Sequence, residues 1–325
     1  MHGPNHISRP IRRLIEETER IVASELIIHR ERECPISGLL LDVYSYDLDH
    51  NVIVYPASYL GLLKDLVIAW NCAKLLLRGV VHGTGDLKVL SYSKETAITG
   101  GDQIYLDILK DSMTKSLDIN RKKKIIPLIF HLFHEGISEL PLGIVSHIFL
   151  ARNYPLLRNA QVYLLIKEGM YDMHELVSVK DLIPRRYFVL HNALYYTRDA
   201  LLADYLSAFP LNPVINIPEL RRFKNLDLKE TMTHRWTGSA WYHTKIAGDD
   251  MFTRTRKILE NHLIAFDSPV KLREIFLAGK NIAELWTERM AMKHWFRWVN
   301  PAEGVKSEGQ IREIEERMIA KIFTN

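Results

Sequence analysis

The feature that most constrains this chain is the stretch ASYLGLLKDLVIAWNCAKLLLRG, residues 57–79. It is long and apolar enough to suggest a membrane span, yet Lys64, Asp65, Asn71 and Lys74 interrupt it. A charge at bilayer depth costs roughly 2.5 to 3.5 kcal/mol on insertion scales, so several in one span are disfavoured. The alternative is a helix packed on all sides inside a protein. A chain of 325 residues, 47% hydrophobic, can supply the surrounding layers. We therefore expect this stretch to be the core helix of a predominantly α protein, ending at Gly79, with no membrane partner.

Other segments follow from local pattern. Ser8 and Pro10 open a first helix whose apolar positions run Ile11, Leu14, Ile15, Ile21, Val22, Leu26. GLLLDVYSYDLDHNVIVYP reads as a β-hairpin over about 39–55, with DLDHN as its turn. LKVLSYS and RRYFVL read as short strands. Helices are predicted over 102–117, 125–135, 142–152, 155–167, 192–209, 250–266, 270–278, 282–298 and 309–323. FPLNPVINIPEL, residues 209–220, has three prolines and cannot continue a helix or a central strand. It divides the chain into an expected N-terminal lobe, 1–210, with the hairpin, and a C-terminal lobe, 211–325.

Two cysteines, Cys34 and Cys72, lack disulfide or metal-ligand spacing, and the N-terminus lacks an apolar signal region. Both point to a reducing compartment, hence a cytoplasmic location, with a virion as a second setting. Neither a cofactor nor a metal is called for by any motif.

Three patterns touch on catalysis. Gly248-Asp249-Asp250 is the triplet that carries metal in RNA polymerases, and Asp42 and Asp47 have the spacing of a partner motif. Such chemistry needs carboxylates converged on two cations about 4 Å apart. Too few residues precede Asp42 for that architecture, and a helical face of Phe252, Leu259, Leu263 and Phe266 follows the triplet. The triplet reads as a helix start. His131, His134 and Glu135 resemble half of a zinc-protease helix, but Ser138 stands where the second ligand belongs. Asp47 and Asp49 are also ordinary turn residues, and GVVHGTGDLK fits neither nucleotide-binding fingerprint.

The more coherent signal is cations interleaved with aromatics. It comprises Arg185, Arg186, Arg221, Arg222, Lys224, Arg235, Trp236, Lys293, Trp295, Arg297 and Trp298, with RTRK at 254–257 and RKKK at 121–124. Residues 180–300 hold nineteen Lys/Arg against thirteen Asp/Glu, a larger excess than the whole chain's +4. Cations neutralise phosphates and aromatic planes stack on unpaired bases, a combination suited to single-stranded nucleic acid. On a helix over 282–298, Trp295 and Trp298 point away from the face shared by Ile282, Leu285, Trp286 and Phe296. Residues 140–190 also run in the order of a winged helix, with Arg158 and Lys167 as the cations of the second helix. The expected function is a non-enzymatic structural protein that binds or packages RNA, of nucleocapsid or capsid-associated type, and self-associates. A pure assembly component and a metal-dependent hydrolase or phosphoryl-transfer enzyme are the alternatives.

Overall fold

The computed structural model describes residues 7–44, 48–179, 181–209, 248–267 and 271–324. The fold is mainly α, with ten α-helices and a few short strands among these residues, and a small sheet near the N-terminus.

Helix α1 (Arg9–Val22) begins after Ser8, with Pro10 in its first turn. It stops earlier than the sequence suggests, because Ala23 adopts a left-handed φ of 51°. Leu26–Glu31 is consequently not helix but strand β1. Strands β2 (Leu39–Leu41) and β3 (Asn51–Pro56) pair antiparallel, as the hairpin pattern predicts, with Leu40 opposite Ile53. β1 pairs parallel with the far edge of β3, giving the order β1-β3-β2.

Helix α2 (Gly61–Thr84) is the expected core helix. It runs through Gly79 and ends at Gly85, whose left-handed φ of 67° suits a helix terminus. Of its interrupting polar groups Lys64, Asp65 and Asn71 are buried and Lys74 is half-buried: the Ser8 N–H donates to Asp65, the Asn71 amide donates to the Ser37 and Val67 carbonyls, and Lys74 pairs with Glu139 at 3.5 Å. By length and composition both α2 and α4 could cross a bilayer, but most of the qualifying window of α2 is buried against its own protein.

After β4 (Val89–Ser91) comes α3 (Lys94–Lys110), two turns longer at its start than predicted. Ser93 caps it and Thr96 reciprocates, a capping box. Gly100 and Gly101 lie mid-helix, and their low helix propensity concealed those turns. Their function is close approach. A Cβ at Gly100 would stand 2.8 Å from the Phe130 ring and 3.1 Å from Trp295, and one at Gly101 would collide with Met318.

Helix α4 (Ile119–Asn153) replaces two predicted helices with one of 35 residues. Pro127 and Pro141 lie inside it without ending it. Each removes one N–H donor, but the turns around them are packed against α2, α3 and the later helices. Helices α5 (Arg158–Val179) and α6 (Arg185–Ser207) follow. The RRYFVL segment is therefore helix, not strand. Its aromatic and β-branched run sits in a helix buried on several sides, where periodicity is lost and strand-like composition misleads. This also removes the winged-helix reading, which required a strand there.

Gly248–Asn261 forms α7, so Gly-Asp-Asp is the first turn of a helix. Asp250 pairs with Arg254 at 3.4 Å and with Arg289, and Met251, Thr255 and Leu259 are buried. Leu272–Arg289 is a single helix, α8, where two had been predicted. It ends nine residues before Trp298: Ala291 takes a left-handed φ of 58°, and the chain then forms strand β5 (Arg297–Val299). β5 pairs antiparallel with β4. A single turn, α9 (Pro301–Gly304), precedes α10 (Glu308–Thr324), which packs on α3. The proposed boundary near residue 210 lies outside the described residues. Those on its two sides pack together through β4–β5, α3–α10 and α4–α8.

Candidate nucleic-acid interface

The end of α8 determines where the basic-aromatic segment goes. Because the helix stops at Arg289, the chain that follows turns Met290, Met292, Trp295 and Phe296 inward while Ala291, Lys293 and His294 stay at the surface. Trp295 is 1% exposed, correcting the expectation that it lies off the core. Its indole N–H donates to Gln103 Oε1 at 3.0 Å, and its ring packs on Phe130, Phe133 and Tyr187. A ring enclosed in this way cannot stack on a base. Trp298 differs. It is half-buried on β5, opposite Leu90, with the Lys280 ammonium 4.7 Å from its ring centre. Arg297 beside it is exposed, and Lys293 is exposed while pairing with Glu288 at 3.3 Å.

Arg185 and Arg186 open α6. The Arg185 backbone N–H donates to Asp111 at 3.0 Å, Arg186 pairs with Asp107 at 2.9 Å, and the Tyr187 hydroxyl donates to the same carboxylate. Gln103 and Asp107 are one turn apart on α3. The structure thus brings two of the sequence-predicted clusters together, Arg186–Tyr187 and Trp295, but as an aromatic core under α3 rather than an open groove. Arg158 and Lys167 are similarly engaged, with Phe209 and the Ala151 carbonyl, and with Tyr59. Arg221, Arg222, Lys224, Arg235 and Trp236 lie outside the described residues.

Sequence reading missed the groups that surround the ribbon. The Lys306 ammonium donates to Ser91 Oγ at 2.6 Å and lies 4.5 Å from the centre of the Tyr92 ring. Burial, then the neighbouring Arg297 charge, lowers the pKa of Lys306. Burial pushes the Tyr92 phenol up to about 12. No local pattern connects residue 91 with residue 306, so only the fold could reveal this contact.

The candidate metal ligands do not converge. His131 pairs with Glu315 at 2.9 Å, the His134 ring nitrogen lies 3.4 Å from the Leu90 carbonyl, and Glu135 is exposed. Burial drives the pKa of His134 down to about 4, leaving it neutral at physiological pH. Asp42 is fully buried and ion-paired with Arg78, which also holds Glu139 at 3.2 Å. Burial opposes ionisation of Glu139, but the Arg78 and Lys74 charges outweigh it and lower its pKa to about 2. Asp49 is exposed and Asp47 lies outside the described residues. Among the described residues no three His, Cys, Asp or Glu side chains are grouped to hold a metal ion.

No family model, no curated protein and no solved structure matches this chain.

Proposed function

We propose that this chain is a non-enzymatic structural protein that binds single-stranded RNA in a packaging or scaffolding role, through the β4–β5 ribbon. The observation that carries the reading is Trp298. Trp298 is half-buried on β5, with the Lys280 ammonium 4.7 Å from its ring centre and the exposed Arg297 next to it in sequence. An accessible indole framed by cations can stack on one base while the cations engage flanking phosphates. Lys293 extends the cationic path along the same segment.

The test is a fluorescence-anisotropy titration with a single-stranded RNA at rising salt. Affinity should fall linearly on a log–log plot, with a slope set by the number of phosphates neutralised. Absence of binding even at low salt would remove the RNA reading.

A further inference from the structure

The connection between α3 and α4 exposes apolar side chains in an ordered array. Leu106, Leu109 and Met113 are 52%, 42% and 56% exposed, and Ile119, at the start of α4, is 54% exposed. Leu106 and Leu109, three residues apart in the last turns of α3, share a face of that helix. The helix stops at Lys110, where Asp111 takes extended backbone, and a turn closed by the Lys115 N–H donating to the Asp111 carbonyl at 3.0 Å carries Met113 toward α4. On the inner side of the corner Ile104, Ile108 and Thr114 are fully buried. This stripe is therefore the outer side of a well-packed corner and not the product of a loose segment.

The corner is also the most cationic stretch of the described chain. Residues 110–124 contain six Lys/Arg and two Asp, a surplus of four that equals the formal charge of the whole protein. Lys110, Lys115, Arg121 and Lys124 are exposed. Lys122 donates to the Lys115 carbonyl at 2.8 Å and ties the turn to α4. Both acids accept backbone N–H groups, and Asp118 also pairs with the Arg121 side chain at 3.2 Å. Asp111 accepts from the Met113, Thr114 and Arg185 N–H groups, and Asp118 caps α4 through the Arg121 N–H.

We propose that this corner docks on an anionic lipid bilayer. Leu106, Leu109, Met113 and Ile119 enter the boundary between headgroups and acyl chains, and the flanking lysines and Arg121 meet the lipid phosphates and carboxylates. Interfacial binding of this kind scales with buried apolar area and with attraction to anionic lipid. Charge complementarity decides among occupants. A second copy seated symmetrically on the corner would set a surplus of four positive charges against itself. RNA would satisfy the charge, but the exposed apolar groups are aliphatic or thioether and offer no flat ring for a base. The contact is peripheral and needs no membrane span.

Flotation of the purified full chain with phosphatidylcholine vesicles, with and without phosphatidylserine, tests the proposal. The protein should float with the serine-containing vesicles, remain unbound to phosphatidylcholine alone, and detach at high salt. Lys115→Ala with Lys124→Ala should weaken the partition about 25-fold, roughly fivefold for each lysine removed from the surface. Leu109→Asp with Met113→Asp should weaken it at least as much while leaving the melting temperature and single-stranded RNA affinity unchanged, because both positions are exposed and remote in sequence from β5. Three results would overturn the proposal: no flotation with anionic vesicles, equal flotation with neutral ones, or loss of RNA binding or of self-association in the Leu109/Met113 variant in place of loss of flotation.

Discussion

The β4–β5 ribbon and the α3–α4 corner are both cationic, yet they offer different chemistry. The ribbon combines its charge with an aromatic ring, Trp298, half-enclosed beneath Lys280. The corner combines its charge with Leu106, Leu109, Met113 and Ile119, all flexible aliphatic or thioether groups more than two-fifths exposed. A flat ring suits a base, and mobile aliphatic groups suit lipid. Counts of Lys and Arg do not distinguish these surfaces; the apolar neighbours do. A second contrast lies within the ribbon segment itself. Trp295 and Trp298 are three residues apart, and the chain turn at Ala291 commits one to the core and leaves the other at the surface.

That second contrast yields the largest expected effect. Trp295→Ala removes a ring packed on Phe130, Phe133 and Tyr187 and the indole N–H that donates to Gln103 Oε1. It should cost roughly 3 to 5 kcal/mol of folding stability. Urea unfolding measures it, and a loss under about 1 kcal/mol would mean that the site is not core.

The next effect in size is a pH dependence of stability. Burial is the main cause that drives the pKa of His147 down to about 3 and of His191 down to about 4. The unfolded chain takes up protons at these rings near pH 6.5, and the folded chain does not until the pH is far lower. Stability is therefore full above about 6.5 and falls as the pH drops toward 4. The loss at pH 5 should approach about 2 kcal/mol for each histidine as a ceiling. Denaturation midpoints that are equal at pH 7 and pH 5 would contradict this.

Smaller effects concern the ribbon. Trp298→Ala should weaken single-stranded RNA binding by about 1 to 3 kcal/mol with little change in unfolding, the reverse of Trp295→Ala. Arg297→Ala should reduce affinity evenly across RNA sequences and lower the salt slope by about one unit. A sequence-dependent loss at Arg297 would show that it reads bases, and the ribbon would then need a different description.

Much of the fold was legible where short-range signals agree. Ser8 and Pro10 mark α1, and the alternation around the turn before Asn51 marks β2 and β3. The charges inside α2 correctly indicated burial, because they are few enough to be partnered individually. The failures share a cause: tertiary packing prevailed over local preference. Pro127 and Pro141 sit within a continuous helix, Gly100 and Gly101 serve close contacts inside α3, and RRYFVL is helical because α6 is enclosed. The candidate site was legible in composition but not in placement. Ala291 ends α8 in a left-handed conformation without the glycine that would have signalled it. The ribbon itself joins residues 89–91 to 297–299, a pairing no local pattern encodes.

The most direct test of the account is a paired titration of wild type and Trp298→Ala with one single-stranded RNA at low and moderate salt. Both proteins should lose affinity with salt along parallel lines, with the variant weaker by about 5- to 150-fold at each concentration. Superimposable curves, or no binding by wild type at low salt, would contradict it.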